Sequence, residues 1–431
     1  MSTLQRLPAH ALQATTSGQR ASPRFHEIDW VRAFIILALV PCHALGFFTA
    51  NSDQYFGTGY STAIGLSTLM TVGSWGIALL FLIAGAAASA MLARHTPHQF
   101  VSERFLRLLV PFVFASLTLI PLQNYLIVHT FPGVIGKIPA PSGWNPQFAE
   151  SPVTFYLWFV GAYVTFLTHY TPQYEFIFWS HLWFIPRLFI ISLLTLPLLL
   201  QLRGPRGAQF IARLAIWCER YRGGVFLFAV PLGLVLAVLG WQWQGWMVVG
   251  APDTWNVLAQ FVFYALIYLY GAVIYSDERL RQAVRRDGGV VALALGILFF
   301  IITQLPGVGN SALAHDYSAA GILVGFLRAL AAWMCITGIL GLSMRFLAFT
   351  NRVGRYLTDA SYPFYVFHLA VLYLIGLPLL ASGTQPLLAF LTMVVFTYVI
   401  AMGAYEVLVR RISPVRMLFG MNKKRSLPPP E

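Results

Sequence analysis

Charge is scarce in this chain. Only 10% of its 431 residues are Asp, Glu, Lys or Arg, against about 25% in soluble domains, so it cannot build an ordinary water-facing surface. An apolar share of 58% and a mean hydropathy of +0.69 leave a polytopic membrane protein as the class. Acidic residues are scarcer still, 15 against 28 Lys and Arg, for a net charge of +13. That excess would suit nucleic acid if it formed one patch. It lies instead in short clusters beside apolar runs, the pattern of membrane orientation, so no nucleic-acid partner is expected. Cysteine is limited to Cys42, Cys218 and Cys335, whose spacing fits neither a disulfide framework nor a zinc site, and no metal is expected. The first 26 residues lack the apolar core and cleavage site of a signal peptide. Internal repeats, low-complexity tracts and a soluble domain are also missing.

What is present is a series of apolar runs, near 30–48, 66–92, 106–128, 181–201, 224–240, 257–275, 290–304, 319–342, 361–381 and 386–408. They predict an all-α fold of about ten transmembrane helices. Residues 1–26 form a disordered cytoplasmic tail, 27–412 the membrane domain and 413–431 a basic cytoplasmic tail. The apolar segment 153–169 allows an eleventh crossing, and charge decides against it. With ten crossings and both termini inside, 24 of the 28 Lys and Arg residues are cytoplasmic and only Lys137 is outside. An extra crossing at 153–169 would reverse every later cluster, so that segment reads as re-entrant or as lying along the outer interface.

Several spans carry side chains that a plain lipid anchor would not. Asp29 and Arg32 open the first, and His43 follows Pro41 and Cys42. At 100° per residue Arg32 and His43 differ by roughly 20°, so they share a face about 16 Å apart. Intramembrane ionisable residues face the protein interior or a wet cavity, and a neutral imidazole can take a proton from a hydroxyl. His43 is therefore either a base or a helix-bridging histidine. Pro41 lacks a backbone N–H and can open the helix beside it. Arg104 and Arg107 share a face at i, i+3 on the cytoplasmic side, as a phosphate clamp, as topology-setting charge, or with Arg107 tied to Glu103. In the fourth span, His181 and Trp183 lead to Arg187, which can hold an anionic substrate or pair with Glu175. Tyr365 and His368 share a face in the ninth span, at a depth comparable to His43. Glu406 lies a turn before Arg410, where an ion pair is the plain reading.

These segments resemble a known family. Arg32 with His43 eleven residues on, Arg104-x-x-Arg107, and the run from Ser361 through Tyr365 to His368 resemble the integral-membrane acyltransferase-3 superfamily. The nearest likeness is to its glucans biosynthesis protein C type, which succinylates periplasmic glucans. Ile28-Asp29, the run from Ser180 to Phe184 and Tyr405-Glu406 add to it. Arg187 and the basic segment 203–222 depart from the family pattern. The resemblance implies an O-acyltransferase in the bacterial inner membrane. It would move succinyl or acetyl from cytoplasmic acyl-CoA to a hydroxyl of an extracytoplasmic glycan, with no bound cofactor. His43 would be the essential histidine, Arg32 and Asp29 its partners, and Arg104 and Arg107 the donor contacts. Glycan-synthesis proteins would be natural partners. The rival class is a transporter or exporter of a glycan or small anion, for which matched broken helices in repeated halves are the usual mark.

Overall fold

Apolar runs of this length have no water to satisfy their backbone, so each must close its own hydrogen bonds, and a helix does this. The computed structural model describes residues 25–48, 63–134, 145–239, 254–305, 308 and 318–421, with no strand among them. Most of the expected N-terminal tail, the end of the C-terminal tail and Lys137 lie outside the described residues. In chain order the helices are α1 (His26–Gly46), α2 (Ala63–Leu92), α3 (Pro97–Thr130), α4 (Pro152–Thr168), α5 (Ser180–Leu194), α6 (Leu196–Arg203) and α7 (Pro205–Arg220). There follow α8 (Gly224–Val238), α9 (Thr254–Ile274), α10 (Glu278–Asp287), α11 (Val290–Gln304), α12 (Ala319–Phe346), α13 (Arg352–Ala381), α14 (Pro386–Val409) and α15 (Ser413–Leu418).

Among the described residues seven helices are long and apolar enough to cross a membrane, and up to nine if each of two bent pairs is one span. The expected fourth span is one such pair, α5 and α6, which meet at 47°. The other pair is α10 and α11, at 68°. Segment 153–169 is the helix α4, 17 residues long and shorter than the crossing helices. Its Phe155, Phe159, Tyr163 and Phe166 are buried, while Val153, Leu157, Val164 and Leu167 point outward. The basic segment 203–222 is largely the helix α7. Ile211, Ala215 and Cys218 form its buried face, and Arg286 donates to the carbonyls of Cys218, Glu219 and Tyr221 at its end. Phe419, just past α15, packs on the rings of Phe114 and Phe367, so the start of the C-terminal segment belongs to the folded body.

Helix α1 is central, packed on α2, α12, α13 and α14. Pro41 does not open it: the helix runs unbroken to Gly46. The carbonyl that Pro41 leaves without its i+4 donor is that of Leu37, and the Tyr398 hydroxyl of α14 donates to it at 2.8 Å. The proline thus ties two helices together instead of making room. Helices α2 and α9 cross with their backbones in touch. A Cβ on Gly85 would lie 1.8 Å from the Tyr268 carbonyl oxygen, and one on Gly271 would lie 1.9 Å from that of Leu82. Only glycine permits this approach.

Candidate active site

Helices α1 and α13 run side by side, and the polar stripe of α1 faces α13 at two levels. At one, Arg32 donates to the Thr358 carbonyl at 3.4 Å and lies 3.5 Å from Asp29. At the other, the His43 ring meets the His368 ring at 5.4 Å between centroids. The shared face is therefore present, but Arg32 and His43 do not touch; they mark two ends of one stripe.

His181 joins the upper level. Its ring stands edge to face on His368 at 4.9 Å and 81°. The Tyr365 carbonyl gathers the cluster, accepting from His368 Nδ1 at 2.6 Å and from His181 Nε2 at 3.1 Å. The Tyr365 hydroxyl donates in return to the His181 carbonyl. His368 is fully buried and His181 nearly so, while His43 is half-buried. The second ring nitrogens, His368 Nε2 and His181 Nδ1, are buried without a hydrogen-bond partner. Among the described residues no three His, Cys, Asp or Glu side chains are placed to hold a metal ion.

The turn that presents His181 is strained and pinned. Ser180 has φ 46°, a left-handed conformation that costs a non-glycine residue free energy and persists only where neighbours enforce it. Gln123 donates to the Ser180 hydroxyl at 2.9 Å, and Asn124 to the Ile177 carbonyl at 2.7 Å. One turn beyond, Arg187 is 1% exposed and stacks over Trp183 at 4.8 Å. It donates to Glu175 at 2.6 Å and to Gln260. Tyr170 donates to the other Glu175 oxygen at 2.5 Å. Burial first, and then the Glu175 carboxylate, holds the Tyr170 hydroxyl above its usual range, so it keeps the proton it donates. Sequence reasoning offered Arg187 a substrate anion or Glu175, and the structure gives it Glu175.

The arginine pair of α3 is divided. A turn of π-helix over Phe105–Leu109 adds a residue to the spacing after Arg104. Arg104 is buried at 9% exposure against the Phe100 ring, 4.9 Å away, with Nε and Nη2 unpaired. Arg107 is at the surface, bound to Glu103 at 2.6 Å. The expected shared clamp is not formed. Glu406 also lies apart from the histidines, in a surface pair with Arg410 at 2.5 Å.

Reading the sequence missed Gln123, Asn124, Tyr170 and Gln260. A signal existed for Gln260, the one amide and sole hydrogen-bonding side chain besides tyrosines in the apolar stretch 257–274.

The acyltransferase domain of the acyltransferase-3 family matches residues 25–406. Curated relatives include glucans biosynthesis protein C of Salmonella schwarzengrund (strain CVM19633), 20% identical over 400 residues, 92% of this chain and 95% of that protein. The protein of the same name in Salmonella heidelberg (strain SL476) is 20% identical over 402 residues, with the same coverage. No solved structure matches. With a family match across nearly its whole length, and apolar helices enough for several crossings, the chain is a membrane acyltransferase of the acyltransferase-3 family.

Proposed function

We propose that the enzyme moves succinyl or acetyl from cytoplasmic acyl-CoA to a hydroxyl of an extracytoplasmic glycan such as a periplasmic glucan, with His43 as the base. The observation that carries this reading is the histidine cluster. A half-buried imidazole on α1 sits against a buried one whose second nitrogen has no partner. Acyl transfer to a hydroxyl needs such a group. The hydroxyl proton goes to His43 while the oxygen adds to the thioester carbonyl; the C–S bond then breaks and the proton passes to the leaving sulfur.

The donor side is read from the arginines. Arg104 keeps two buried donors unpaired, which suits a phosphate of the carrier arriving from the cytoplasm. Arg32, steadied by Asp29 and the Thr358 carbonyl, lies on the stripe that leads from that side toward His43. Arg107, held by Glu103, would guide the carrier by charge alone. Ten crossings are compatible with counting each bent pair as one and adding Gly224–Val238, and the grouping of Lys and Arg supports both termini in the cytoplasm of a bacterial inner membrane. The two relatives' name, glucans biosynthesis protein C, supports a glucan acceptor and a place beside glycan-synthesis proteins.

The test is mass spectrometry of envelope glycans from cells with the gene, without it, and with His43→Ala. The expected result is an acetyl or succinyl mass on the glycan of the first cells only. Identical glycans in all three would refute the reading.

A further inference from the structure

A carbonyl oxygen can only accept a hydrogen bond. Both ring nitrogens that reach the Tyr365 carbonyl, His368 Nδ1 and His181 Nε2, therefore carry protons. In a neutral imidazole the other nitrogen then holds the lone pair. The backbone thus fixes two tautomers, leaving His368 Nε2 and His181 Nδ1 as buried acceptors with no donor. An empty buried acceptor costs about 1–3 kcal/mol, so a proton donor belongs at each.

The choice of donor for His368 is narrow. His181 has committed its N–H to the Tyr365 carbonyl, and the Tyr365 hydroxyl is committed to the His181 carbonyl. His43 remains, with its ring 5.4 Å from that of His368 and tilted by 33°. Two imidazoles joined by an N–H···N bond of ordinary length have centroids roughly 5 Å apart. The observed spacing is a few tenths of an ångström longer than that, and catalytic hydrogen bonds commonly tighten when substrate binds.

We infer that His368 is a positioning residue for His43, accepting its N–H and so aiming the lone pair of the other His43 nitrogen at the acceptor hydroxyl. This rests on the O-acyltransferase reading. The hydroxyl proton moves to His43 as the oxygen adds to the thioester carbonyl. The imidazolium so formed donates to His368 Nε2, which spreads its charge. When the C–S bond breaks, His43 gives that proton to sulfur and the carrier leaves as the thiol. His368 neither gains nor loses a proton over the cycle.

Two substitutions separate this role from a structural one. Asn at position 368 can still donate to the Tyr365 carbonyl, because its amide sits near the Nδ1 position. Gln reaches the Nε2 position and can still accept from His43. Purified protein in lipid nanodiscs is given labelled succinyl-CoA or acetyl-CoA with periplasmic glucan, and kcat and KM are compared at equal amounts of folded protein. His368→Gln is expected to keep kcat within about tenfold, and His368→Asn to lose about 10²-fold or more with little change in KM, the scale of general-base catalysis. The reverse order, equal loss, or no loss in either would overturn the inference.

Nitrogen NMR of ¹⁵N-histidine-labelled wild-type protein gives a second reading that needs neither variants nor turnover. A protonated Nδ1 and a bare Nε2 on His368 are expected, with coupling to a His43 N–H once acyl-CoA is bound. A protonated Nε2, or one still uncoupled with acyl-CoA bound, would overturn the inference. Wild-type protein that transfers neither acyl group counts against the proposed function, and the NMR result then decides the histidine pair on its own.

Discussion

Arg187 and His368 are equally hidden, at 1% and 0% exposure, yet their surroundings are opposite. Arg187 is gripped by Glu175, Gln260 and the Trp183 face, and Glu175 is held in turn by Tyr170. His368 spends one nitrogen on the Tyr365 carbonyl and leaves the other bare beside His43. A buried group held by several partners is rigid, and Arg187 pairs both terminal nitrogens and leaves only Nε over, whereas the bare nitrogen of a half-partnered imidazole is a standing cost that a bound group can relieve. The difference sorts the intramembrane polar residues by task. The Arg187 network reads as scaffold, one turn beyond the strained turn that Gln123 and Asn124 pin, and the histidine cluster is where chemistry is expected. The α3 arginines divide in the same way, Arg104 with open donors and Arg107 already paired.

His43→Ala should lower acyl transfer by about 10²–10⁴-fold, the range of general acid–base catalysis, without changing the melting temperature of the purified protein. Arg187→Met should do the opposite. Stripping one partner from a buried ion pair costs about 3–5 kcal/mol, so thermal stability should drop while transfer per folded molecule persists. Adding Glu175→Leu should restore much of that stability, because the stranded carboxylate is gone. If the double variant stays as unstable as the single one, the pair is not the scaffold described.

Smaller effects sharpen the division on α3. Arg104→Lys removes the planar fork but keeps the charge. Losing one charge-assisted hydrogen bond costs about 1.5–3 kcal/mol, so KM for acyl-CoA should rise roughly tenfold to a hundredfold. Arg107→Lys should change KM by less than about threefold, since an exposed i, i+4 pair is worth about 0.3–0.5 kcal/mol. Equal KM changes in the two titrations would mean that the π-helical turn does not separate their roles.

Much of this was legible in the chain, for reasons that differ by residue. The apolar runs are long enough that lipid and backbone hydrogen bonding dictate helices, and the 100° period set Arg32 and His43 on one face. That face is the one α1 turns to α13, where they meet Thr358 and His368. The meeting of His43, His181 and His368 was not legible, because they lie on three helices and periodicity describes one helix at a time. Neither was the π-helical turn over Phe105–Leu109, which undid the i, i+3 pairing of Arg104 with Arg107; Pro111 just beyond it signals a missing backbone N–H but not a π-helical turn. Pro41 was read as a point of opening, because its missing N–H is visible in sequence and the Tyr398 hydroxyl that satisfies Leu37 is not. The positive φ of Ser180 had no sequence signal either, as serine is not a residue that favours it.

The contrast between the two buried sites is tested most directly by measuring acyl transfer per folded molecule for His43→Ala beside Arg187→Met/Glu175→Leu, in one assay with labelled succinyl-CoA or acetyl-CoA and periplasmic glucan. A folded but inactive His43 variant and an active double variant are expected. An active His43 variant, or a folded double variant that transfers nothing, would contradict it.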